Sequence, residues 1–172
     1  NILELLNQYE EAIRAYENAL EIYTQENAIY YADILNNIAL VLNKQNQQNR
    51  AIKLTYESLK LKEEHYNEIP YSPGYFRNYE NLADSYFGLG KYNAAIQNYN
   101  KALDNLKDDP KSDNPYIYNK PDLLRVLDLK AQAALKNGDI DLAHNTYQEL
   151  DDWINEFYKD LSTNQSKLTW IA

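Results

Sequence analysis

Hydrophobic residues recur every three or four positions along most of the chain, which is the spacing of one face of an α-helix. The pattern is clearest between Tyr79 and Leu103, where two apolar stripes are separated by Gly90. A glycine tolerates the positive backbone angle that a tight helix-to-helix turn requires. Ala83 and Ala95 lie on the two stripes and are small enough for close helix packing. The stretch therefore predicts an antiparallel helix pair that buries its stripes against neighbouring pairs of the same kind.

This stretch resembles a tetratricopeptide repeat, and it carries nearly the whole signature of that family. The resemblance implies a right-handed solenoid in which the first helix of each pair lines a concave groove and the second helix lies outside. It also implies a role in binding proteins rather than in chemistry. The matching residues are Tyr79, Leu82, Ala83, Tyr86, Gly90, Tyr92, Ala95, Ile96, Tyr99, Ala102 and Leu103.

The helix pair recurs with variations in the rest of the chain. Residues 9–23 repeat the second-helix pattern, so we expect the chain to begin inside a first repeat, with a turn at Asn7. In the second pair Asn46 stands where the turn glycine is expected, and asparagine also tolerates the left-handed conformation. Gly138 holds the same place in the fourth pair, and Pro121 is suited to the first turn of its first helix.

The repeats are longer than usual. The alanine that opens each second helix recurs at intervals of 39, 44 and 48 residues, whereas the tetratricopeptide period is about 34. Prolines 70 and 73 end one repeat, and a Pro-rich and Asp-rich loop precedes residue 121. We predict an all-α, right-handed α-α superhelix of about seven helices in antiparallel pairs. It should span residues 1–161 as a partial first repeat (1–26) and repeats at about 29–66, 74–107 and 121–161, with a C-terminal tail at 162–172; the last helix should end at about Leu161.

The charge of the chain narrows the classes of partner. The formal net charge of −9 disfavours binding to the phosphates of nucleic acid and gives no support to binding anionic membranes. No apolar run approaches the roughly 18 residues of a membrane helix. The chain has no cysteine and no methionine, and it starts partway through a helical pattern, as a piece of a longer protein would. We expect a cytoplasmic protein whose partner is a protein or peptide, with no nucleic acid and no membrane.

No set of residues predicts catalysis. His65 lies in a polar helix end, and His144 is more consistent with a structural or surface residue than with a base, because no oriented partner is evident. The acidic residues between 108 and 122 lack the spacing of a calcium loop. We therefore expect no enzyme activity, no cofactor and no metal.

Tyrosine is unusually frequent, with 17 residues in the chain. Tyr79, Tyr86, Tyr92 and Tyr99 stand at packing positions and are predicted to form the core. Six others stand at helix starts or in loops, where they could face a ligand or simply cover an edge of the fold: Tyr30, Tyr31, Tyr71, Tyr75, Tyr116 and Tyr118.

The predicted groove follows from positions on the first helices. Residues two before and two after the anchors Leu35, Tyr79 and Leu127 lie four apart and share one helix face. An asparagine amide can pair with the main chain of an extended peptide, and arginine can pair with a carboxylate. Of these slots, Asp33 and Leu129 are not counted as ligands. Further along the same first helices, Asp84 and Gln132 are also expected to look inward. The predicted peptide-binding residues are Asn37, Arg77, Asn81, Asp84, Arg125 and Gln132.

Recognition of acidic C-terminal tails is not expected from this groove. Asn36 and Leu40 stand where the first lysine and asparagine of the family's two-basic clamp would lie. A solvated groove that holds no peptide is the alternative to a binding site.

A second pattern in the last third of the chain consists of Lys130, Ala131, Gly138, Tyr147, Trp153, Ser166, Lys167 and Leu168. With these residues the segment resembles the region that leads into the caspase-like domain of bacterial TPR–CHAT proteins. The resemblance implies that this segment regulates or recruits for a protease-like domain that would follow Ala172, and that it contacts that domain. A peptide-pheromone receptor is a further alternative.

Overall fold

The computed structural model describes residues 2–23, 28–65, 75–107 and 120–168. These residues form seven α-helices, which confirms the predicted all-α architecture and its number of helices. The helices are α1 (Ile2–Ile22), α2 (Ala28–Lys44), α3 (Gln48–Glu64), α4 (Tyr75–Gly88), α5 (Tyr92–Lys107), α6 (Lys120–Asn137) and α7 (Ile140–Leu168).

The helices stack in chain order as a tetratricopeptide-type solenoid. Each helix packs against the next, and α2 also contacts α4 directly. The first helices of successive pairs, α2, α4 and α6, therefore form one layer, and α3, α5 and α7 form the other. Ala83 and Ala95 are both fully buried. Their small side chains allow α4 and α5 to approach closely, as predicted.

The three tight turns share one geometry. Asn46, Gly90 and Gly138 have φ values of 58°, 71° and 80°. At each turn the next N–H donates to the carbonyl four residues before the left-handed residue, as from Gln47 to Leu42 at 2.8 Å. This is the Schellman arrangement that ends a helix and satisfies its last carbonyl groups. Asn46 thus replaces glycine as predicted.

Two predicted helix boundaries are wrong. Residues 2–22 form one helix with no turn at Asn7, because a single asparagine costs a helix less than about 1 kcal/mol and no glycine or proline follows it. Helix α7 continues to Leu168 rather than ending near Leu161, since nothing in residues 162–168 breaks a helix. Pro121 is the second residue of α6, in its first turn as predicted. The loops predicted around prolines 70, 73, 110 and 115 lie outside the described residues.

The buried apolar residues form two clusters. One joins α2 and α3, with Ile13, Tyr16 and Leu20 of α1 packed against it. The other runs continuously through α4, α5, α6 and α7. The boundary between the two clusters falls between α3 and α4.

The tyrosine prediction is correct for one residue of four. Tyr99 is fully buried, whereas Tyr79 and Tyr86 are half-buried at the edge of the second cluster. Tyr92 is also half-buried and lies edge-on to Phe87, with ring centroids 5.4 Å apart. Half-burial allows a phenol hydroxyl to reach water or another side chain, as the Tyr86 hydroxyl lies 3.3 Å from that of Tyr56, and this avoids the cost of an unpaired polar group.

The tyrosines at helix starts divide between exposed and half-buried positions. Tyr30 is exposed, while Tyr31 and Tyr75 are half-buried. The remaining three, Tyr71, Tyr116 and Tyr118, lie outside the described residues.

Candidate functional site

A cavity of about 360 Å³ opens between the three first helices. A volume in the range of about 300–1,000 Å³ is typical of ligand sites in proteins. Four lining residues come from α2, four from α4 and one from α6, so a ligand here would contact three successive repeats. The lining residues are Asn36, Asn37, Leu40, Lys44, Arg77, Glu80, Asn81, Asp84 and Arg125.

Five of the six residues predicted for the groove line this cavity: Asn37, Arg77, Asn81, Asp84 and Arg125. The sixth, Gln132, does not line it; its side chain is exposed, and Nε2 donates to Asp128 Oδ2 at 2.8 Å. Leu40 is 38% exposed and adds an apolar surface to an otherwise polar lining.

The two arginines are held by carboxylates of the chain itself. Asp122 bridges them, with Oδ2 at 3.2 Å from Nη2 of Arg77 and Oδ1 at 2.5 Å from Nη2 of Arg125. Arg125 also forms an ion pair with Glu80, whose side chain is only 5% exposed. Burial, together with the positive charge of Arg77, lowers the pKa of Arg125. These pairs join α4 to α6 and leave the arginine wall of the cavity close to electrically neutral.

Asp84 lies in a different environment from the other carboxylates. The hydroxyl of buried Tyr99 donates to its Oδ1 at 2.6 Å, which fixes the carboxyl group at the cavity wall. Burial raises the pKa of Asp84, although the Tyr99 hydrogen bond and the charge of Lys44 oppose that shift. The same burial and the adjacent carboxylate raise the pKa of Tyr99, so Tyr99 stays a hydrogen-bond donor.

Asn81 contributes to the joint between repeats as well as to the cavity. Its side chain is buried, and Nδ2 donates to the carbonyl oxygen of Asn36 at 3.0 Å and to Asn36 Oδ1 at 2.9 Å. Asn43 of α2 donates in turn to the carbonyl of Asn81, and Ser85 donates to Asn43 Oδ1 at 2.6 Å. Since these contacts already occupy the Asn81 amide donors, its first role in the fold is to hold α2 against α4.

A second set of buried polar contacts lies at the start of α4. Asn78, which is fully buried, donates to Ser58 Oγ at 2.8 Å and accepts from Lys62 Nζ at 2.8 Å. Lys62 is only 2% exposed and also pairs with Asp33 at 2.8 Å. Ser58 Oγ donates to the carbonyl of Ala32. Together with the Asn81 contacts, these bonds form a polar junction between α2–α3 and α4.

The sequence of α4 contains a pattern that indicates this junction, although the prediction of the groove residues does not use it. Asn78, Asn81, Leu82 and Ser85 recur at helical spacing and define one face of α4. Three of those four residues are polar, although the face is buried. Buried polar residues on one helix face predict a hydrogen-bonded neighbour, and that neighbour is the preceding repeat.

The described residues supply little that resembles catalytic or metal chemistry. His144 is exposed and His65 half-buried. Among residues 2–23, 28–65, 75–107 and 120–168, no group of three or more His, Cys, Asp or Glu side chains could hold a metal ion. None of the helices in the described parts of the chain is long and apolar enough to cross a membrane.

Comparison with known proteins places the chain in a family. Two stretches, residues 1–64 and 76–105, match the tetratricopeptide repeat family. Together they cover more than half of the sequence, and the chain belongs to the tetratricopeptide repeat proteins.

Among solved structures, the chain is similar to the crystal structure of BtubC (BKLC) from P. vanneervenii, with a TM-score of 0.72. The sequences are 19% identical, and the match covers 88% of this chain but only 59% of that one. At this identity the likeness concerns the fold alone. No curated protein matches the chain.

Proposed function

We propose that this chain is a non-catalytic interaction module of the cytoplasm that holds an extended segment of a partner protein in the groove formed by α2, α4 and α6. Tetratricopeptide repeats are protein–protein interaction modules, and the family matches support that general role. The observation that carries the finer proposal is the cavity that gathers five of the six groove residues predicted from the sequence.

The lining offers groups that suit a peptide main chain. Asn37 is half-buried in the cavity wall, and its side chain makes no hydrogen bond to any residue that the structure describes. Its amide can therefore both donate to and accept from a partner peptide unit. Arg77 is 54% exposed and uses one of its five donors on Asp122. Free donors and acceptors on this wall support recognition of a peptide rather than of an apolar ligand.

The dimensions also suit a short extended segment. Arg77 and Asp84 are seven residues apart on α4, which corresponds to about 10 Å along a helix axis. An extended chain advances about 3.3 Å per residue, so about three partner residues would span the cavity. Neighbouring residues of the partner would lie against the rest of the first-helix layer.

A peptide array followed by titration calorimetry tests this function. Binding peptides are expected to weaken about tenfold with Asn37→Ala or Arg77→Ala, as loss of one hydrogen bond to a partner predicts. Gln97→Ala is the matched control, because Gln97 is exposed on α5, in the other layer of the solenoid, and its removal should leave affinity unchanged. Equal affinity of the wild type and both groove variants would refute binding in this groove.

A second candidate is regulation of a larger CHAT protease-like protein. Helix α7 is 29 residues long against 18 for its partner α6, and exposed Tyr158 extends the aromatic series of Trp153 and Phe157 along it. A long final helix with aromatic residues suits contact with another domain of the same polypeptide. The full-length gene decides this candidate, since a gene without a CHAT domain downstream of this segment would rule it out. A peptide-pheromone sensor would instead bind short secreted peptides in the same array.

A further inference from the structure

Building on the proposed function, we infer that the groove cavity receives a basic side chain, a lysine or arginine of the partner segment, which pairs with Asp84. The chemistry of the partner at this position depends on which charged groups of the cavity already have partners within the chain.

The two arginines that line the cavity are already paired with carboxylates of the chain. Asp122 contacts both Arg77 and Arg125, and Glu80 forms a further ion pair with Arg125. An acidic partner group would have to displace these carboxylates, and Glu80 is almost completely buried against Arg125. Displacement of a buried, paired carboxylate leaves an uncompensated charge, which is strongly unfavourable. The arginines therefore disfavour an acidic ligand more than their charges alone would indicate.

Asp84 is the carboxylate of the lining that has no arginine partner among the described residues. Its Oδ1 accepts from Tyr99 at 2.6 Å, so the group is oriented before any ligand binds. The other oxygen makes no hydrogen bond to a described residue and is available to a donor. Because burial already strips water from this carboxylate, a cation placed beside it would interact more strongly than at an open surface.

Leu40 supplies the surface for the rest of such a side chain. It lines the same cavity and is 38% exposed. Lysine and arginine bury their aliphatic stems along apolar surface while the charged end finds a polar partner. An acidic side chain has a shorter aliphatic stem to lay against Leu40, and its charge would be repelled by Asp84. The net charge of −9 would also attract a basic segment at long range.

Lys44 provides a way to distinguish a basic partner from an acidic one. It lies in the cavity lining, its charge acts on Asp84, and it forms no ion pair or hydrogen bond with the described residues. A basic partner would be repelled by Lys44, whereas an acidic partner would use it. Removal of Lys44 should consequently strengthen binding of a basic peptide and weaken binding of an acidic one.

Fluorescence anisotropy with two labelled probes provides the experiment: an alternating alanine–lysine heptapeptide and its alanine–glutamate counterpart. We expect the lysine peptide to bind the wild type at least about tenfold more tightly than the glutamate peptide. Asp84→Asn should weaken lysine-peptide binding by about tenfold, and Lys44→Gln should tighten it. Asp104→Asn is the matched control, because it removes the same charge from an exposed position on α5.

Any of three results would overturn the inference. The first is tighter binding of the glutamate peptide with a loss on Lys44→Gln; groove binding would then stand, with an acidic partner. The second is equal weakening by Asp84→Asn and Asp104→Asn, and the third is no binding of the lysine peptide at all. Peptides from the array that still depend on Asn37 and Arg77 would show that the proposed function survives. Circular dichroism of each variant verifies that the fold is intact.

Discussion

Asn78→Ala tests whether the polar junction holds the two halves of the solenoid together. The substitution removes the bond that Asn78 donates to Ser58 and the bond that it accepts from Lys62, both 2.8 Å long. A neutral hydrogen bond contributes about 1 kcal/mol and one to a charged group about 2 kcal/mol. The expected loss in free energy of unfolding is therefore about 3 kcal/mol, which corresponds to a fall in Tm of about 6–12 °C for a protein of this size.

Urea unfolding followed by circular dichroism measures this loss. Asn93→Ala is the matched control, since Asn137 Nδ2 donates to Asn93 Oδ1 at 2.8 Å, also between neighbouring repeats, but both residues are exposed. An exposed bond of this kind should change the free energy of unfolding by no more than about 0.5 kcal/mol. Both variants remove an asparagine that bonds across a repeat boundary at 2.8 Å, but Asn78 loses two buried bonds, one of them to a charged group, and Asn93 loses one exposed bond.

A double-mutant cycle with Lys62→Met tests the charged part of the loss. Methionine keeps most of the lysine stem but removes the ammonium group that donates to Asn78. The double variant should lose less than the sum of the single variants, with a coupling energy of about 1–2 kcal/mol. Strict additivity, or an Asn78→Ala loss no larger than that of Asn93→Ala, would refute the view that these buried bonds stabilise the junction.

Three further measurements follow from the geometry. Gly90→Ala should lower the free energy of unfolding by about 1–2 kcal/mol. The loss should come from the φ of 71° alone, because a Cβ at this position meets no atom within 4 Å. A loss near zero in chemical denaturation would contradict this. The pKa of Asp84 is raised, so the free energy of unfolding of the wild type should increase relative to that of Asp84→Asn as the pH falls through the raised pKa. This gain should level off below about pH 3.9, the ordinary pKa of aspartate. Thermal melts that show the same difference in Tm between the two proteins at every pH would contradict it. The two apolar clusters should unfold separately in urea. In a Trp170→Phe background, circular dichroism should show loss of helix in α1–α3 before the fluorescence of Trp153, which packs against the second cluster, changes. Coincident transitions would show one cooperative unit.

The turns and the helix count could be predicted because they depend on local sequence. Asn46, Gly90 and Gly138 each stand where helical periodicity stops, and their conformational freedom marks the turn without any knowledge of tertiary contacts. The same reasoning fails at Asn7, because an asparagine inside a helix has the same local sequence signal as one at a helix end.

The groove could be predicted only in outline. Helical spacing places Arg77 and Asp84 on the cavity side of α4. It cannot show that Asp122 forms an ion pair with Arg77 or that the Tyr99 hydroxyl donates to Asp84. Those pairings join residues 45 and 15 positions apart and depend on how the repeats stack. Asn81 shows the same limit, because spacing alone does not separate a residue that faces a ligand from one that bonds the next repeat.

The polar junction also marks where the solenoid could be divided. A cut between α3 and α4 would expose a face of α4 that already carries Asn78, Asn81 and Ser85, which can exchange their partners for water. A cut between α5 and α6 would instead divide the continuous apolar cluster and expose Leu106 and Leu123. Solenoids need a polar outer face on their terminal repeats. The α4 face therefore has the character of a terminal cap placed inside the stack, and the four helices α4 to α7 form the natural unit for recombination with other repeats.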